Sequence, residues 1–131
     1  MRAHLAAKDI LDPTASTVVA ELEEQGYLDD ARYAELFAED RRNLDDWGPG
    51  RIRRRLSALG VDRDLIEAAV GVRDRDDELA AALDLLARRF PDPPRDPRTH
   101  NRALAMLARK GFGVELAGDA LRAHARSSTT G

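Results

Sequence analysis

The chain contains no cysteine, only six aromatic side chains in 131 residues, and no apolar run of membrane length. The missing cysteines exclude disulfides and thiolate metal sites and fit a reducing compartment. Phe, Tyr and Trp carry the largest burial per residue, so their scarcity argues against a deep sandwich or barrel core. The Val-Ile-Thr alternation that marks strands is nearly absent. No segment approaches the ~18 apolar residues of a membrane span. The first residues, MRAHLAAKDILDP, lack the apolar stretch of a secretory leader. A soluble cytoplasmic protein without membrane contact is therefore expected. What remains is rich in Ala, Leu, Arg and Glu, which favour helix.

Charge is divided unevenly along the chain. The net charge is −3, yet residues 1–40 hold three basic and ten acidic side chains, and residues 41–63 hold seven basic and three acidic. Residues 64–131 balance at eleven each. An overall acidic chain thus concentrates cations in one short stretch, GPGRIRRRLSALGVD, with Arg51, Arg53, Arg54 and Arg55 inside five positions.

Helical periodicity recurs throughout. Tyr33, Leu36, Phe37 and Leu44 share a face, as do Ile52, Leu56 and Leu59, then Leu65, Ile66, Ala69 and Val70. Val18, Val19 and Leu22 group likewise. The breaks have physical causes. Gly26 is expected to end one helix, with Asp29 or Asp30 capping the next. Trp47-Gly48-Pro49-Gly50 interrupts a helix, and Pro49 suits a first helical turn. Gly60 suits a left-handed terminus and Asp62 a following cap, and Asp12-Pro13 offers the same cap. PDPPRDP at 91–97 reads as a rigid polar loop.

The segments repeat. LSALGVDRDLIEAAV, from Leu56, aligns with LARKGFGVELAGDAL, from Leu107, and with LAAKDILDPTASTVV, from Leu5, at a constant offset of 51 residues. Gly60 matches Gly111, while Asp9 takes that place in the first unit; Leu5, Ile10, Ala15 and Val19 fall on matching apolar positions. The expected fold is all-α, with tandem three-helix repeats forming an elongated, curved helical array. The expected divisions are a partial first repeat at 1–26 that lacks its opening helix, a second at 27–72, a third at 76–126, and a disordered tail at 127–131.

On a helical wheel, Ile52, Leu56 and Leu59 occupy one arc; Arg51, Arg54 and Arg55 occupy a neighbouring arc, and Arg53 the far flank. Guanidinium groups grip phosphate or carboxylate through paired bonds, and Arg41 and Arg42 extend the patch. Positive charge in a first helical turn opposes the macrodipole by about 0.3–1 kcal/mol per charge, which a sequence selected only for stability would avoid. One reading is a cationic face for a polyanion. The other is a solvated face that pairs with Asp45, Asp46 and the acidic first third. GPGR lacks phosphate-loop spacing. His4, His100 and His124 show no metal-ligand spacing, and Ser57, Ser127 and Ser128 have no neighbouring base. Trp47 is expected to cover a helix seam, with base stacking as the alternative. No catalytic residue, metal or cofactor is indicated.

With these residues in place, the chain resembles the RecX family of recombinase regulators. The resemblance is carried by EQGYLDDARYAELFAEDRR, GPGRIRRRLSALGVDRDLIEAAV and LARKGF. The motif falls on Tyr27, Leu28, Asp29, Asp30, Gly48, Pro49, Arg51, Ile52, Arg53 and Leu56. Arg55 stands where the family often has an acid, and Asp9 where glycine is expected. The resemblance implies a modular, non-enzymatic protein that binds the RecA–DNA filament and modulates its ATPase and strand exchange in recombination and repair. The residues proposed to meet filament or DNA, single-stranded or duplex, are Arg41, Arg42, Arg51, Arg53, Arg54 and Arg55. Two other classes stay open on the residues: a helix-turn-helix DNA reader and a plain helical scaffold.

Overall fold

Helix-forming residues dominate from residue 13 onward, and the computed structural model, which describes residues 13–130 except the side chains of 13–17, 19 and 128–130, is helical almost throughout. Six helices follow one another among the described residues: α1 (Pro13–Asp45), α2 (Pro49–Ala58), α3 (Arg63–Val70), α4 (Arg75–Arg89), α5 (Pro97–Lys110) and α6 (Val114–Thr130). None is long and apolar enough to cross a membrane.

Two apolar cores form. One gathers Ala34, Ala38, Ile52, Leu56, Ile66, Ala69 and Val70 from α1, α2 and α3. The other gathers Ala82, Leu85, Leu86, Ala103, Met106, Leu107, Phe112, Ala117, Ala120 and Leu121 from α4, α5, α6 and the turn before α6. Each core is enclosed by a triplet of helices that bury one stripe apiece. The internal period persists in the backbone. α3 and α6 begin 51 residues apart, at Arg63 and Val114, and Gly60 and Gly111 both take left-handed φ values, +85° and +105°.

Four expectations are corrected. Gly26 does not end a helix; α1 runs through it, so Asp29 and Asp30 lie inside α1 rather than at its cap. A single interior glycine costs only about 1 kcal/mol relative to Ala, and no proline reinforces it. The buried face of α1 also differs. Ala34 and Ala38 are fully buried, whereas Tyr33, Leu36 and Leu44 are exposed, with Phe37 partly covered. Val18 and Leu22 are exposed too. Small residues let α1 approach α3 closely, and the bulky stripe is left on the adjoining face. Leu59, placed by the wheel beside Ile52 and Leu56, is 43% exposed, because α2 ends at Ala58 and the chain turns away there. α6 runs to Thr130, into the segment where a tail was expected. His4, Leu5, Asp9, Ile10 and the proposed Asp12 cap lie outside the described residues, as do the side chains of Ala15, Val19 and Ser128.

Local chemistry accounts for the remaining ends. Asp74 and Asp77 form a reciprocal capping box at α4, with Asp77 N donating to Asp74 Oδ1 at 2.8 Å and Asp74 N to Asp77 Oδ2 at 3.1 Å. Asp96 accepts from Thr99 N at 2.6 Å, with Pro97 in the first turn of α5. Asp62 stands at the head of α3 but makes no side-chain cap bond.

Candidate functional site

The GPG turn ahead of the arginines is a joint between the two helix triplets. Gly48 N donates to Lys110 O at 2.6 Å, and Gly50 N to Gly111 O at 2.9 Å. The N-terminus of α2, whose first amides lack partners in their own helix, thereby meets the C-terminus of α5, whose last carbonyls lack partners in theirs. Pro49 stands between them, where a missing N–H goes unnoticed. The approach requires glycine. A Cβ on Gly48 would lie 2.7 Å from Gly111 C, and one on Gly111 would lie 2.5 Å from Arg51 N.

Two cations complete the joint, and a third closes α1 on α3, each serving carbonyls rather than carboxylates. Arg51 donates to Arg109 O at 3.1 Å and lies 4.4 Å over the Trp47 ring. Lys110 Nζ donates to Asp45 O, at the end of α1, at 2.8 Å. Arg42 donates to Ala69 O and Val70 O, at the end of α3, at 3.2 and 3.0 Å. Cations at helix C-termini oppose the negative end of the macrodipole. Arg88 adds a bond pair across the joint, to Asp46 Oδ1 at 2.8 Å and Oδ2 at 3.2 Å, and the Arg88 hydrogen bond holds the Asp46 carboxyl below its usual range.

The six arginines proposed from sequence do not form one free face. Arg42 is turned inward, and its burial lowers its pKa against the opposing pull of nearby Glu78. Glu78 is itself buried, which raises its pKa, although Arg73 lies 3.2 Å away and Arg42 is close. Arg41 pairs with Asp45 and flanks the Phe37 and Trp47 rings. Arg53 grips Glu67 through Nε, at 3.0 and 3.3 Å. Arg51 belongs to the joint. Arg54 and Arg55 are exposed and, among the described residues, form no ion pair or hydrogen bond. They are the pair on α2 able to take an outside phosphate or carboxylate.

The motif positions divide similarly. Ile52 and Leu56 are fully buried, whereas Tyr27 and Leu28 are about half exposed on α1. Trp47 meets Phe37 edge-on at 6.0 Å, and Phe37 stacks on Tyr33 at 6.0 Å, so the tryptophan does cover a helix seam. Sequence reasoning missed Arg109, Lys110 and Asp46 as members of the joint. LARKGF was visible as a turn, but nothing local says which turn it touches.

A division of labour among arginines is directly testable. Replacing Arg42 by Met removes two charge-assisted bonds to buried carbonyls and should cost about 1.5–3 kcal/mol. Replacing Arg54 and Arg55 together by Ala should change stability by less than about 0.5 kcal/mol. Urea denaturation of the two variants checks both figures.

Comparison with known proteins agrees with this geometry. Residues 29–70 match the family described as RecX, second three-helix domain. The chain is 38% identical over 119 residues to Regulatory protein RecX of Stenotrophomonas maltophilia (strain R551-3), covering 90% of this chain and 69% of that protein. It is 39% identical over 107 residues to Regulatory protein RecX of Deinococcus radiodurans, of which it covers 50%. The crystal structure of RecX from Lactobacillus salivarius superposes with a TM-score of 0.67 at 22% identity, over 86% of this chain and 75% of that one, which shows the shared fold.

Proposed function

The chain belongs to the RecX family of regulatory proteins, and from that premise we propose that it binds the RecA–DNA filament in the cytoplasm and lowers its ATPase and strand-exchange activity. RecX regulators are not enzymes, so the effect arises from binding one filament state better than another. The α1–α2–α3 and α4–α5–α6 triplets serve as successive modules of a curved array. Arg54 and Arg55 meet DNA phosphate or an acidic recombinase surface. The acidic first third of the chain meets basic subunit surface.

One observation carries this reading. Arg54 and Arg55 are left unpaired on a helix whose other arginines are engaged, and that helix is anchored at its head by backbone bonds to α5. The backbone that carries the two guanidiniums is thus fixed in advance, so only their side chains are ordered on binding. The test is the DNA-dependent ATPase of RecA with increasing amounts of this protein. The unaltered chain should inhibit, and the Arg54→Ala/Arg55→Ala double variant should need roughly tenfold more protein for the same effect. Equal inhibition by both proteins counts against the assignment.

A further inference from the structure

The two triplets hold separate apolar cores with no residue in common. The most extensive helix packing lies within a triplet: α4 on α6, α1 on α3, α5 on α6 and α2 on α3. The chain crosses from one triplet to the other once, through residues 71–74. Beside that crossing Arg73 holds the buried Glu78 at 3.2 Å. The other bonds that tie the triplets together are also polar. They are the backbone bonds from Gly48 N and Gly50 N, the bonds from Arg51 and Lys110 to helix-end carbonyls, and the Arg88–Asp46 pair. Open clefts adjoin the seam. One lies between Asp46 and Trp47 of the first triplet and Ala81 and Arg88 of the second. Another lies between Gly50 and Arg54 and, facing them, Ala108 and Leu116. A seam without a shared core, and with space beside it, can rotate about its bonded points.

Among these ties the Arg88–Asp46 pair is the one able to let go. Both side chains are partly exposed, so water can replace either partner. Glu78, by contrast, is buried, and the bonds at Gly48 and Gly50 join main-chain groups. Arg88 offers one edge of its guanidinium to Asp46, at 2.8 and 3.2 Å. The other edge serves Asp84 on its own helix, with Nε at 3.0 Å. On release, Arg88 therefore keeps a charged partner one turn away. Asp46 is biased towards release for a different reason. Among the described residues it alone of the non-glycines has positive φ, +59°, a conformation that persists where the surroundings impose it. Freed of Arg88, its backbone can relax towards negative φ. That relaxation displaces the 46–48 turn, which carries the joint.

We propose that the seam between the triplets is a hinge. The Gly48–Gly111 contact and the 71–74 crossing are its fixed points, and the Arg88–Asp46 pair is a latch that sets the angle. The inference concerns the chain alone and does not rest on the filament assignment. Its consequence for an array of units is a curvature set by one partly exposed ion pair rather than by a continuous core. The same chain can then follow a helical partner of more than one pitch.

The chain has no cysteine, so spin labels can be placed in pairs without removing native thiols. Ala68→Cys/Asn101→Cys puts one label on α3 and one on α5, both at exposed positions. Double electron–electron resonance on the full chain then reads the distance across the seam. A hinge rotation of about 15°, acting over the roughly 20 Å of α5, moves a label by about 5 Å. With the latch intact a single narrow distance is expected. Arg88→Ala and Asp46→Asn, each added to the labelled pair, should shift or spread that distance by about 5 Å. Asn keeps the tolerance for positive φ and loses the charge. Arg75→Ala breaks an ion pair with Asp119 inside the second triplet and should leave the distance unchanged. A Glu35→Cys/Ser57→Cys pair inside the first triplet should also be unmoved by either latch variant. Thermal melts establish that each variant is folded. The proposal is overturned if the latch variants keep the original distance across the seam, or if Arg75→Ala moves it as far. It is overturned too if the distance inside the first triplet moves with it, since the triplet itself would then be deforming. RecA is absent throughout, so every outcome leaves the filament assignment to its own assay.

Discussion

Replacing Gly111 by Ala should destabilise the protein by about 2–5 kcal/mol. Two effects combine. The residue has φ +105°, and a side chain there costs about 1–2 kcal/mol from left-handed geometry alone. The added Cβ also meets Arg51 N at 2.5 Å, Arg51 Cβ at 2.6 Å and Gly48 O at 2.9 Å. These are mostly backbone atoms that cannot swing aside, so the two triplets must separate, with an overpacking cost of about 1–3 kcal/mol. Gly60 is the matched control. It stands 51 residues earlier at the same kind of helix end, with φ +85° and nothing within 4 Å of an added Cβ. Gly60→Ala should therefore cost only about 1–2 kcal/mol. Urea denaturation of both variants makes the comparison; equal losses would mean that the joint contributes nothing at Gly111.

Replacing Leu56 by Ala should cost about 3 kcal/mol, within the usual 2–5 for a leucine in a packed core. Leu56 is fully buried against α1 and α3, and it holds the buried face of α2. Leu59→Ala should cost less than about 1 kcal/mol, because Leu59 is already 43% exposed. A helical wheel treats the two leucines alike, so the pair separates wheel geometry from actual packing. Thermal melting resolves the difference easily, since 1 kcal/mol moves Tm by several degrees in a chain of this size.

That contrast marks how far the sequence could be read. Repeat length, helix content and the Gly60 and Gly111 turns were legible because they rest on local signals: periodic apolar residues and glycines at helix ends. The Leu65–Val70 face was legible because all four residues assigned to it, Leu65, Ile66, Ala69 and Val70, are buried. The α1 face was not. Tyr33, Leu36 and Leu44 look like core by hydrophobicity, but the closeness of α3 selects Ala34 and Ala38, and which helix lies nearby is a tertiary fact. Gly26 looked like a terminus because glycine often is one, yet good helix formers on both sides carry α1 across it.

The candidate site was legible in its composition and not in its division of labour. All six arginines could be named, but the partners of Arg42, Arg51 and Arg53 lie far along the chain. Arg42 finds carbonyls 27 and 28 residues away, and Arg51 finds one 58 residues away. Carbonyl oxygens leave no mark in a sequence, since every residue has one. The question raised by four arginines at a helix head is answered in parts: one anchors a joint, one pairs with Glu67, and two are left facing outward.

The central claim is that unpaired guanidiniums, rather than total positive charge, meet the filament. The most direct measurement is co-sedimentation with preformed RecA–DNA filaments of two variants that lose the same charge, Arg54→Ala/Arg55→Ala and Arg41→Ala/Arg53→Ala. Loss of binding in the first with retention in the second is the predicted result. Equal loss in both, or retention in both, would contradict it.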